Sequence, residues 1–290
     1  MAVLPFESIE GFLYVTARRD STQRGSGAVM QDRALQDAVE QAARRIGAAR
    51  HVVAMTGAGL SVESGIPPFR GPGGLWTKYG EPPMNGYQQF LADPRRAWEE
   101  RLNPQGPMRI LWETLRAARA NPGHLALAEL ERMGVLRCLI TQNVDNLHRA
   151  AGSRNVAEIH GNYTLVRCIE CGRRCGREEV SLEVLPPTCG HCGGILKSDT
   201  VSFGEPIPVD VLQQCHEASE PCDCMLVVGT SATVYPAAEF PLSVRRRGGD
   251  LIEVNPHETE ISALCTVCLR APAGEALPLL VERLRSAGMR

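Results

Sequence analysis

Four cysteines constrain the fold of this chain more than any other feature of its sequence. They form two close pairs with 17 residues between them, Cys168-x2-Cys171 and Cys189-x2-Cys192. Two such knuckles at this separation can close a tetrahedron of thiolates around one zinc ion. Because protein would fill all four positions, the spacing predicts a structural zinc rather than a catalytic one. His191 and Cys175 are near enough in the sequence to replace a ligand, and four unrelated buried thiols are the remaining alternative.

The size and charge of the chain limit its class. With 290 residues it can form a full core and a smaller second domain, and its net charge of −2 gives no electrostatic reason to expect a nucleic-acid or membrane partner. The 11 cysteines, an odd number, and the lack of a long apolar run argue against export. We therefore expect a cytoplasmic protein with four thiols on zinc. Two further cysteine pairs could suggest a second metal, but each abuts a predicted strand, so they are interpreted as apolar core thiols: Cys222-x-Cys224 and Cys265-x2-Cys268.

Short apolar runs alternate with helical patterns over most of the chain. The helical patterns cover Asp32–Ile46 and Leu125–Met133. The apolar runs are His51–Met55, Leu136–Thr141, Met225–Val228 and Leu251–Val254. This alternation is typical of buried strands in a parallel sheet joined by crossover helices. The predicted fold class is therefore α/β.

Composition divides the chain into parts. Residues 1–30 form a predicted N-terminal extension, with apolar residues in Phe6–Val15 and a polar, Gly/Ser-rich link over Arg18–Gly27. Residues 31–290 form the main domain. The cysteine segment, about 164–200, interrupts it as a small inserted zinc domain and leaves a large part at about 31–163 and 201–290.

A glycine-containing turn follows the first predicted strand at residues 56–61. Gly57 and Gly59 allow a tight turn in which backbone N–H groups approach a pyrophosphate at a helix N-terminus. The third glycine of the dinucleotide fingerprint is replaced by Val62, so a plain strand-to-helix turn is an alternative. The next segment is dense in Gly and Pro, which predicts an ordered loop over a ligand. In it, Arg70 could meet phosphate and Phe69 could stack on a ring, unless Arg70 is structural.

Polar residues follow the run Leu136–Thr141, at the edge where open α/β sheets bind ligands. Gln142, Asn143 and Asp145 offer two amides and a carboxylate, which suit ribose hydroxyls and a carboxamide. A helix cap is the alternative interpretation of Asn143 and Asp145. His160 follows another short apolar run. A histidine that titrates near neutrality is the natural general base, although a lone histidine after a strand is more often structural.

Taken in order, these motifs resemble those of the sirtuins, NAD-dependent protein lysine deacylases, of the bacterial and archaeal type. The matches span about residues 55–260 and leave the first 30 residues outside. They are GAGxS at 57–61, GIPxFR at 65–70, TQNVDxLH at 141–148, His160-Gly161, both cysteine pairs, FGE at 203–205, GTS at 229–231 and Asn255-Pro256. The resemblance implies a Rossmann-type parallel sheet with an inserted zinc-ribbon domain. NAD and an acyl-lysine peptide would enter the cleft between the two.

The resemblance also implies roles for single residues. Asn143, Asp145 and His160 would be catalytic. A substrate peptide would add as a strand along Val201, Ser202, Phe203, Gly204 and Glu205. The residues implied for NAD are Gly57, Ala58, Gly59, Ser61, Ile66, Pro67, Phe69, Arg70, Trp76, Gln142, Asn143, Asp145, His160, Gly229, Thr230, Ser231, Asn255, Pro256 and Ala273.

The implied reaction transfers the acyl group to ADP-ribose. The amide oxygen of the acyl-lysine attacks the anomeric carbon of NAD and nicotinamide leaves. His160 then deprotonates a ribose hydroxyl, which attacks the imidate, and water releases free lysine and O-acyl-ADP-ribose. A sirtuin-like ADP-ribosyltransferase or NAD glycohydrolase is the alternative, and a zinc-ribbon binding module without chemistry is a third hypothesis. The intact Asn143, Asp145 and His160 speak against the third, and segment 201–205 favours the deacylase.

The sequence departs from the family pattern in two places. Pro68 stands where many members have Asp or Thr, and proline supplies neither an N–H nor a side-chain acceptor. The subgroup that removes acidic acyl chains carries Tyr-x-x-Arg on a helix after the position of Trp76. Here the spacing recurs only as Trp98-x2-Arg101. We therefore expect a preference for acetyl-lysine or longer neutral acyl-lysine over succinyl-lysine.

Overall fold

The computed structural model describes residues 26–71 and 73–289, so the predicted apolar segment Phe6–Val15 lies outside the described residues. The described helices are α1 Ser26–Ala48, α2 Leu75–Tyr79, α3 Gly86–Ala92, α4 Pro94–Leu102, α5 Gly106–Ala117, α6 Pro122–Arg132, α7 Leu147–Ala150, α8 Val209–Ser219, α9 Glu239–Arg246 and α10 Ala273–Ser286. The strands are β1 Val52–Thr56, β2 Leu136–Thr141, β3 Val156–Glu158, β4 Leu165–Cys168, β5 Arg174–Gly176, β6 Leu196–Ser198, β7 Cys224–Val228, β8 Asp250–Val254 and β9 Val267–Leu269.

Helix α1 begins earlier than its apolar pattern predicts. The pattern starts at Asp32, whereas the helix starts at Ser26. The last residues of the predicted extension, and the end of the predicted flexible link at Gly27, are therefore helical. The correction has a simple cause, since a helix can continue beyond the residues that pack against the core.

Six strands form one parallel sheet in the order β3-β2-β1-β7-β8-β9. Without the three strands of the small sheet, this is the 3-2-1-4-5-6 order of a doubly wound Rossmann fold. The predicted fold class is confirmed. Successive strands are added toward one edge of the sheet up to β3 and toward the other edge from β7 onward, so the strand order reverses between β1 and β7. The carboxyl ends of these two parallel strands form the crevice where such sheets bind ligands.

Both faces of the large sheet are covered, which explains why its central strands read as continuous apolar runs. Every residue of β1 and of β7 is buried. Side chains alternate between faces along a strand. Val52 and Ala54 belong to the cluster with α1, α6 and α10, whereas Val53 and Met55 belong to the cluster with α8 and α9. Cys222 and Cys224 are buried in these clusters, as interpreted from the sequence.

The small domain is an antiparallel sheet in the order β5-β4-β6. One of its faces packs Val166 and Leu196 against Phe90 of α3 and Trp98 of α4. The indole N–H of Trp98 donates to the carbonyl of Leu196 at 2.7 Å. Helices α3 and α4 therefore complete the core of the zinc segment, although they precede it by about 70 residues and the predicted range 164–200 does not include them.

Candidate active site

The glycine turn after β1 lies against the turn after β7. Gly57 N–H donates to Val228 O at 3.0 Å, and Gly59 N–H donates to Gly229 O at 2.8 Å. A Cβ atom at Gly59 would lie 2.8 Å from the Gly229 Cα, and one at Gly57 would lie 2.6 Å from the Thr230 Cβ. Both glycines are thus required because two loops meet at the point where the sheet reverses. A 3-10 helix at Ala58–Ser64 follows them.

A cluster of polar side chains lies beside this turn. Ser61 Oγ donates to Asp145 Oδ2 at 2.6 Å, and Asn143 Nδ2 donates to Ser61 Oγ at 3.1 Å and to Gly57 O at 3.0 Å. Burial raises the pKa of Asp145, and hydrogen bonds from Ser61 and from the N–H of Leu147 oppose that rise. Asp145 Oδ1 also accepts from the N–H of Leu147, the first residue of α7, but the N-cap residue itself is Asn146, whose side chain makes no capping bond within the described structure.

Gln142 links this cluster to the turn after β7. Its backbone N–H donates to Thr56 O at 3.0 Å, and its side-chain amide donates to Thr230 Oγ1 at 2.9 Å. The hydroxyl of Thr230 also accepts from Ala232 N at 3.1 Å. The structure therefore brings together two motifs that the sequence places almost 90 residues apart.

His160 has the hydrogen bonding expected of a general base. Its Nδ1 lies 3.1 Å from the carbonyl oxygen of Gln142. With the proton on Nδ1 donated to that carbonyl, the lone pair on Nε2 is free to accept a proton. Burial lowers the pKa of His160, while the hydrogen bond to Gln142 acts in the opposite direction. The imidazole is therefore neutral at pH 7, as a base must be.

Two further histidines, which the sequence analysis did not assign, lie behind the cluster. Thr56 Oγ1 is 2.9 Å from His148 Nε2 and donates to Thr141 Oγ1 at 2.8 Å. The rings of His148 and His124 are 5.0 Å apart, and both residues are buried. Burial lowers the pKa of His124 to about 4 and lowers the pKa of His148 well below its usual value. Both are neutral core groups at pH 7, and only the position of His148 in the 141–148 motif hints at this role.

These two histidines should make the fold sensitive to mild acid. Because the folded pKa of each is below the unfolded value of about 6.5, the unfolded chain binds more protons as the pH falls. Their stabilising contribution is therefore complete above pH 6.5 and is lost as the pH falls toward the folded values. We expect the free energy of unfolding to decrease by up to about 1.4 kcal/mol per pH unit per histidine. Urea unfolding at pH 7.5, 6 and 5 measures this decrease.

The variant His124→Gln is the matched control for this prediction. His124 Nδ1 accepts from the N–H of Asn121 at the start of α6, and glutamine can make the same capping contact. The variant should show a shallower loss of stability over the same pH range. Zinc content must be measured in parallel, since thiolate ligands also take up protons in acid. Equal slopes for both proteins would contradict the assignment to His124.

Three aromatic rings connect the Gly/Pro-rich loop to the predicted substrate segment. The rings of Phe69 and Trp76 are 4.9 Å apart, and those of Trp76 and Phe203 are 5.6 Å apart. The guanidinium of Arg70 lies 4.5 Å from the centroid of Trp76 and pairs with Glu81 at 3.0 Å. The contact of Arg70 with phosphate stays a prediction, and in this structure its partners are an indole and a carboxylate.

The Gly/Pro-rich loop folds back onto α2 despite its proline. The carbonyls of Pro68 and Phe69 accept from Leu75 N and Trp76 N at 2.9 and 2.8 Å. Pro68 takes part through its carbonyl oxygen, so this hydrogen bond does not need the N–H or the polar side chain that proline lacks. Ile66, just before the prolines, is buried with Trp112 in a small apolar cluster.

Three of the residues predicted for NAD lie beyond the glycine turn, on neighbouring elements. Ser231 follows β7, and its hydroxyl is 3.0 Å from Thr233 Oγ1. Asn255 follows β8, and its side-chain oxygen accepts from His257 N at 3.3 Å. Ala273 begins α10 and is buried. The strands β7 and β8 are adjacent and parallel, so Ser231 and Asn255 lie at the same edge of the sheet.

The four cysteines of the two knuckles converge as predicted. Their sulfur atoms all lie within 4.8 Å of one another. Cys168 Sγ is 3.5 Å from Cys192 Sγ, and Cys171 Sγ is 3.8 Å from Cys189 Sγ. A tetrahedral zinc with Zn–S bonds of about 2.3 Å needs sulfur separations of about 3.8 Å. The geometry fits one structural zinc held by four thiolates.

A second group with metal-ligand atoms occurs at the end of β8 and β9. Oxygen and sulfur atoms of Glu253, Cys265 and Cys268 lie within 4.8 Å of one another. Glu253 is completely buried, and its Oε2 accepts from Arg270 Nη1 and from Ser262 Oγ, each at 2.6 Å. Arg270 balances the carboxylate without a metal. The sequence did not reveal that a buried carboxylate adjoins this cysteine pair.

Comparison with known proteins identifies the class to which this fold and site belong. Residues 57–236 match the model of the Sir2 family. NAD-dependent protein deacylase 1 of Archaeoglobus fulgidus is 43% identical over 250 residues, which cover 86% of this chain and 98% of that protein. The NAD-dependent protein deacylase of Thermococcus kodakarensis is 45% identical over 252 residues, with coverage of 84% and 95%.

Solved structures agree with this result. A Sir2 homologue in complex with NAD superposes with a TM-score of 0.71 at 43% identity and covers 86% of this chain and 94% of its own. A Sir2 protein with a p53 peptide and NAD+ has a TM-score of 0.66 at 32% identity, with coverage of 85% and 97%. The chain belongs to the Sir2 family. In the described part of the chain, none of the helices has the length and apolar character of a membrane span.

Proposed function

We propose that this protein uses NAD as co-substrate to remove acyl groups, chiefly acetyl, from lysine side chains of proteins. The products are nicotinamide, O-acyl-ADP-ribose and free lysine. The proposal rests on the hydrogen-bonded cluster of Asn143, Ser61 and Asp145. His160 lies next to this cluster and is within hydrogen-bond distance of the Gln142 carbonyl. Identity of 43–45% to archaeal NAD-dependent protein deacylases over most of both chains supports it.

Each residue of this cluster has a distinct part in the proposed reaction. When bound, NAD supplies the ribosyl carbon that takes the acyl oxygen as nicotinamide departs. Asn143 and Asp145 present an amide and a carboxylate to the nicotinamide and its ribose, and Ser61 fixes their relative position. His160 accepts a proton on Nε2 from a ribose hydroxyl, while its Nδ1–H remains on the carbonyl of Gln142.

The proposed protein substrate lies along residues 201–205. The segment begins beside the catalytic histidine, because Val201 N–H donates to His160 O at 2.8 Å. Phe203 carries the segment into contact with Trp76. Structures of Sir2 proteins with p53 peptides support a protein segment as the substrate. None of the eleven cysteines, all of which lie within the described residues, forms a disulfide, which fits the reducing cytoplasm that we propose as the location.

A co-dependence assay tests the proposed function. Nicotinamide release from NAD is measured with an acetyl-lysine peptide, with the same peptide carrying free lysine, and with no peptide. We expect release only with the acetylated peptide, in step with the appearance of free lysine. Equal release without peptide would instead indicate an NAD glycohydrolase, and ADP-ribose attached to protein would indicate a transferase.

The acyl preference follows from the rings around the cleft. An acidic acyl group in a closed cleft needs a cationic or hydroxyl partner, since an unpaired buried carboxylate is costly. Phe69 and Phe203 offer only apolar surface. The Arg70 guanidinium that lies over Trp76 is already paired with Glu81. We therefore predict a higher kcat/KM for acetyl-lysine or a longer neutral acyl-lysine than for succinyl-lysine, measured on matched peptides that differ only in the acyl group.

A higher kcat/KM for the succinyl peptide would contradict this prediction and would implicate Arg101. Its guanidinium lies 4.3 Å from the centroid of Trp112, and burial lowers its pKa to about 9. Its Nη2 donates to Tyr163 O at 3.4 Å, and its buried Nε has no hydrogen-bond partner among residues 26–71 and 73–289. In that event Arg101→Met should remove the succinyl activity. Arg109, the next arginine along the chain, forms an ion pair with Glu113, in which Nε and Oε1 are 3.8 Å apart.

A further inference from the structure

A row of three cations crosses the small antiparallel sheet. In the register of β4, Arg167 lies opposite Arg174 of β5 and opposite Lys197 of β6. Like charges directly opposite each other destabilise a sheet, and buried charges are screened less by water. The side chains of Arg167 and Lys197 are only 12% and 5% exposed. This face of the sheet is stable only if carboxylates lie against it.

Two buried carboxylates meet this requirement: Asp199 lies just before the proposed substrate segment, and Glu205 is its last residue. Asp199 Oδ1 lies 2.9 Å from Arg174 Nε and 3.2 Å from Arg167 Nε. Glu205 Oε1 lies 2.6 Å from Arg167 Nη2, and its Oε2 lies 2.8 Å from Lys197 Nζ. Of the three cations, as the described structure places them, Arg167 is the one that contacts both carboxylates.

Each carboxylate also holds backbone of the proposed active site. Glu205 Oε2 accepts from Ser202 N at 2.8 Å, while Glu205 N donates to Ser202 O at 3.0 Å, so the carboxylate closes the turn of the substrate segment. Asp199 Oδ2 accepts from Asn162 N at 3.2 Å, two residues after His160. The two anions thus fix the shape of the substrate segment and the loop that carries the proposed base.

We propose that Arg167 is a positioning residue that couples the zinc knuckle to both parts of this site. It directly precedes Cys168, so one strand end carries a zinc ligand and the cation that holds Asp199 and Glu205. The planar guanidinium of Arg167 lies against two carboxylates at once, through a hydrogen bond to Glu205 and an ion pair with Asp199. A lysine ammonium, by contrast, is a point charge on a flexible stem. The kinetic consequence rests on the proposed deacylase function.

The test compares Arg167→Lys with the matched variant Arg174→Lys. Arg174 belongs to the same row, but its contacts are Asp199 and the exposed Asp210. In R167K we expect the KM for an acetyl-lysine peptide to rise about 10-fold or more, because the substrate segment is no longer held in one geometry. The Kd for NAD and the zinc content should remain close to wild type. In R174K the peptide KM should change by less than about 3-fold.

A second variant and a second readout make the test independent of folding yield and of catalysis. Glu205→Gln removes the charge that Arg167 holds and should raise the peptide KM as R167K does. In the double variant the two effects on the peptide KM should be clearly less than additive, since both single variants weaken the Arg167–Glu205 contact. Hydrogen exchange at the amides of Ser202 and Glu205 should accelerate in R167K and E205Q but not in R174K.

Each outcome decides a separate claim. Wild-type protein that shows no NAD-dependent deacylation would contradict the proposed function, and hydrogen exchange would still decide the role of Arg167. Unchanged peptide KM and unchanged exchange in R167K and E205Q would overturn the positioning role. So would a fall in kcat alone that R174K matches, because that pattern reports a smaller folded fraction.

Discussion

Replacing His160 with alanine is expected to lower the rate of deacylation by about 10²–10⁴, the usual loss when a general base is removed. NAD binding should change little, because His160 contacts the rest of the site through Gln142 O and Val201 N and not through the Ser61–Asn143–Asp145 cluster. The two effects are measured on one preparation, as steady-state deacylation and as NAD affinity by calorimetry.

Nicotinamide exchange separates His160 from Asn143. Departure of nicotinamide precedes the step that needs a base, so H160A should still exchange labelled nicotinamide into NAD in the presence of acyl peptide. Asn143→Ala should lose exchange, because Asn143 lies in the buried cluster proposed to hold the nicotinamide. If H160A deacylates at the wild-type rate, His160 has no role in the mechanism. If H160A loses nicotinamide exchange while N143A keeps it, His160 acts in the first step, the departure of nicotinamide.

Removal of zinc should have an equally large effect by a different route. A structural zinc contributes about 10–16 kcal/mol to folding in small zinc domains. We therefore expect chelation, or Cys171→Ser, to unfold the small domain and abolish activity. Cys171 is exposed, so its loss removes a ligand without leaving a cavity in the core. The measurements are zinc per chain by elemental analysis and hydrogen exchange across β4, β5 and β6.

The half-buried Cys265 provides the control for the zinc prediction. Cys265→Ser also replaces a thiol by a hydroxyl, but outside the four-sulfur group. It should retain one zinc per chain and its activity. Fully active protein that contains no zinc would refute the structural role, and a second equivalent of zinc lost in C265S would show that Glu253, Cys265 and Cys268 bind metal.

The large sheet could be predicted from the sequence because its signals are local. Strand β2 spans Leu136–Thr141 as predicted, and β1 is displaced by one residue at each end. Continuous apolar runs identify these strands because both faces of the sheet are buried. The four-cysteine zinc site could be predicted from the sequence as well, since each Cys-x2-Cys pair forms within one tight turn.

The missed features depend on contacts between residues far apart in sequence. Trp98 is a core residue of the zinc domain because it meets Leu196, and its local pattern on α4 does not indicate that partner. His124 and His148 become neutral core groups because the fold buries them side by side, and burial lowers the pKa of each. Glu205 lies in the predicted substrate segment, yet its carboxylate pairs with Arg167 of β4 and Lys197 of β6. From the sequence of these two short strands alone, both cations would be expected at the surface.

Mass spectrometry of the reaction products tests the central claim most directly. Wild-type protein is incubated with NAD and a panel of acyl-lysine peptides, and all products are quantified together. The proposed function predicts nicotinamide, free-lysine peptide and O-acyl-ADP-ribose in equal amounts, with the acetyl peptide preferred over the succinyl peptide. Nicotinamide with free ADP-ribose and an intact acyl peptide, or ADP-ribose attached to protein, would contradict deacylation while leaving the NAD site in place.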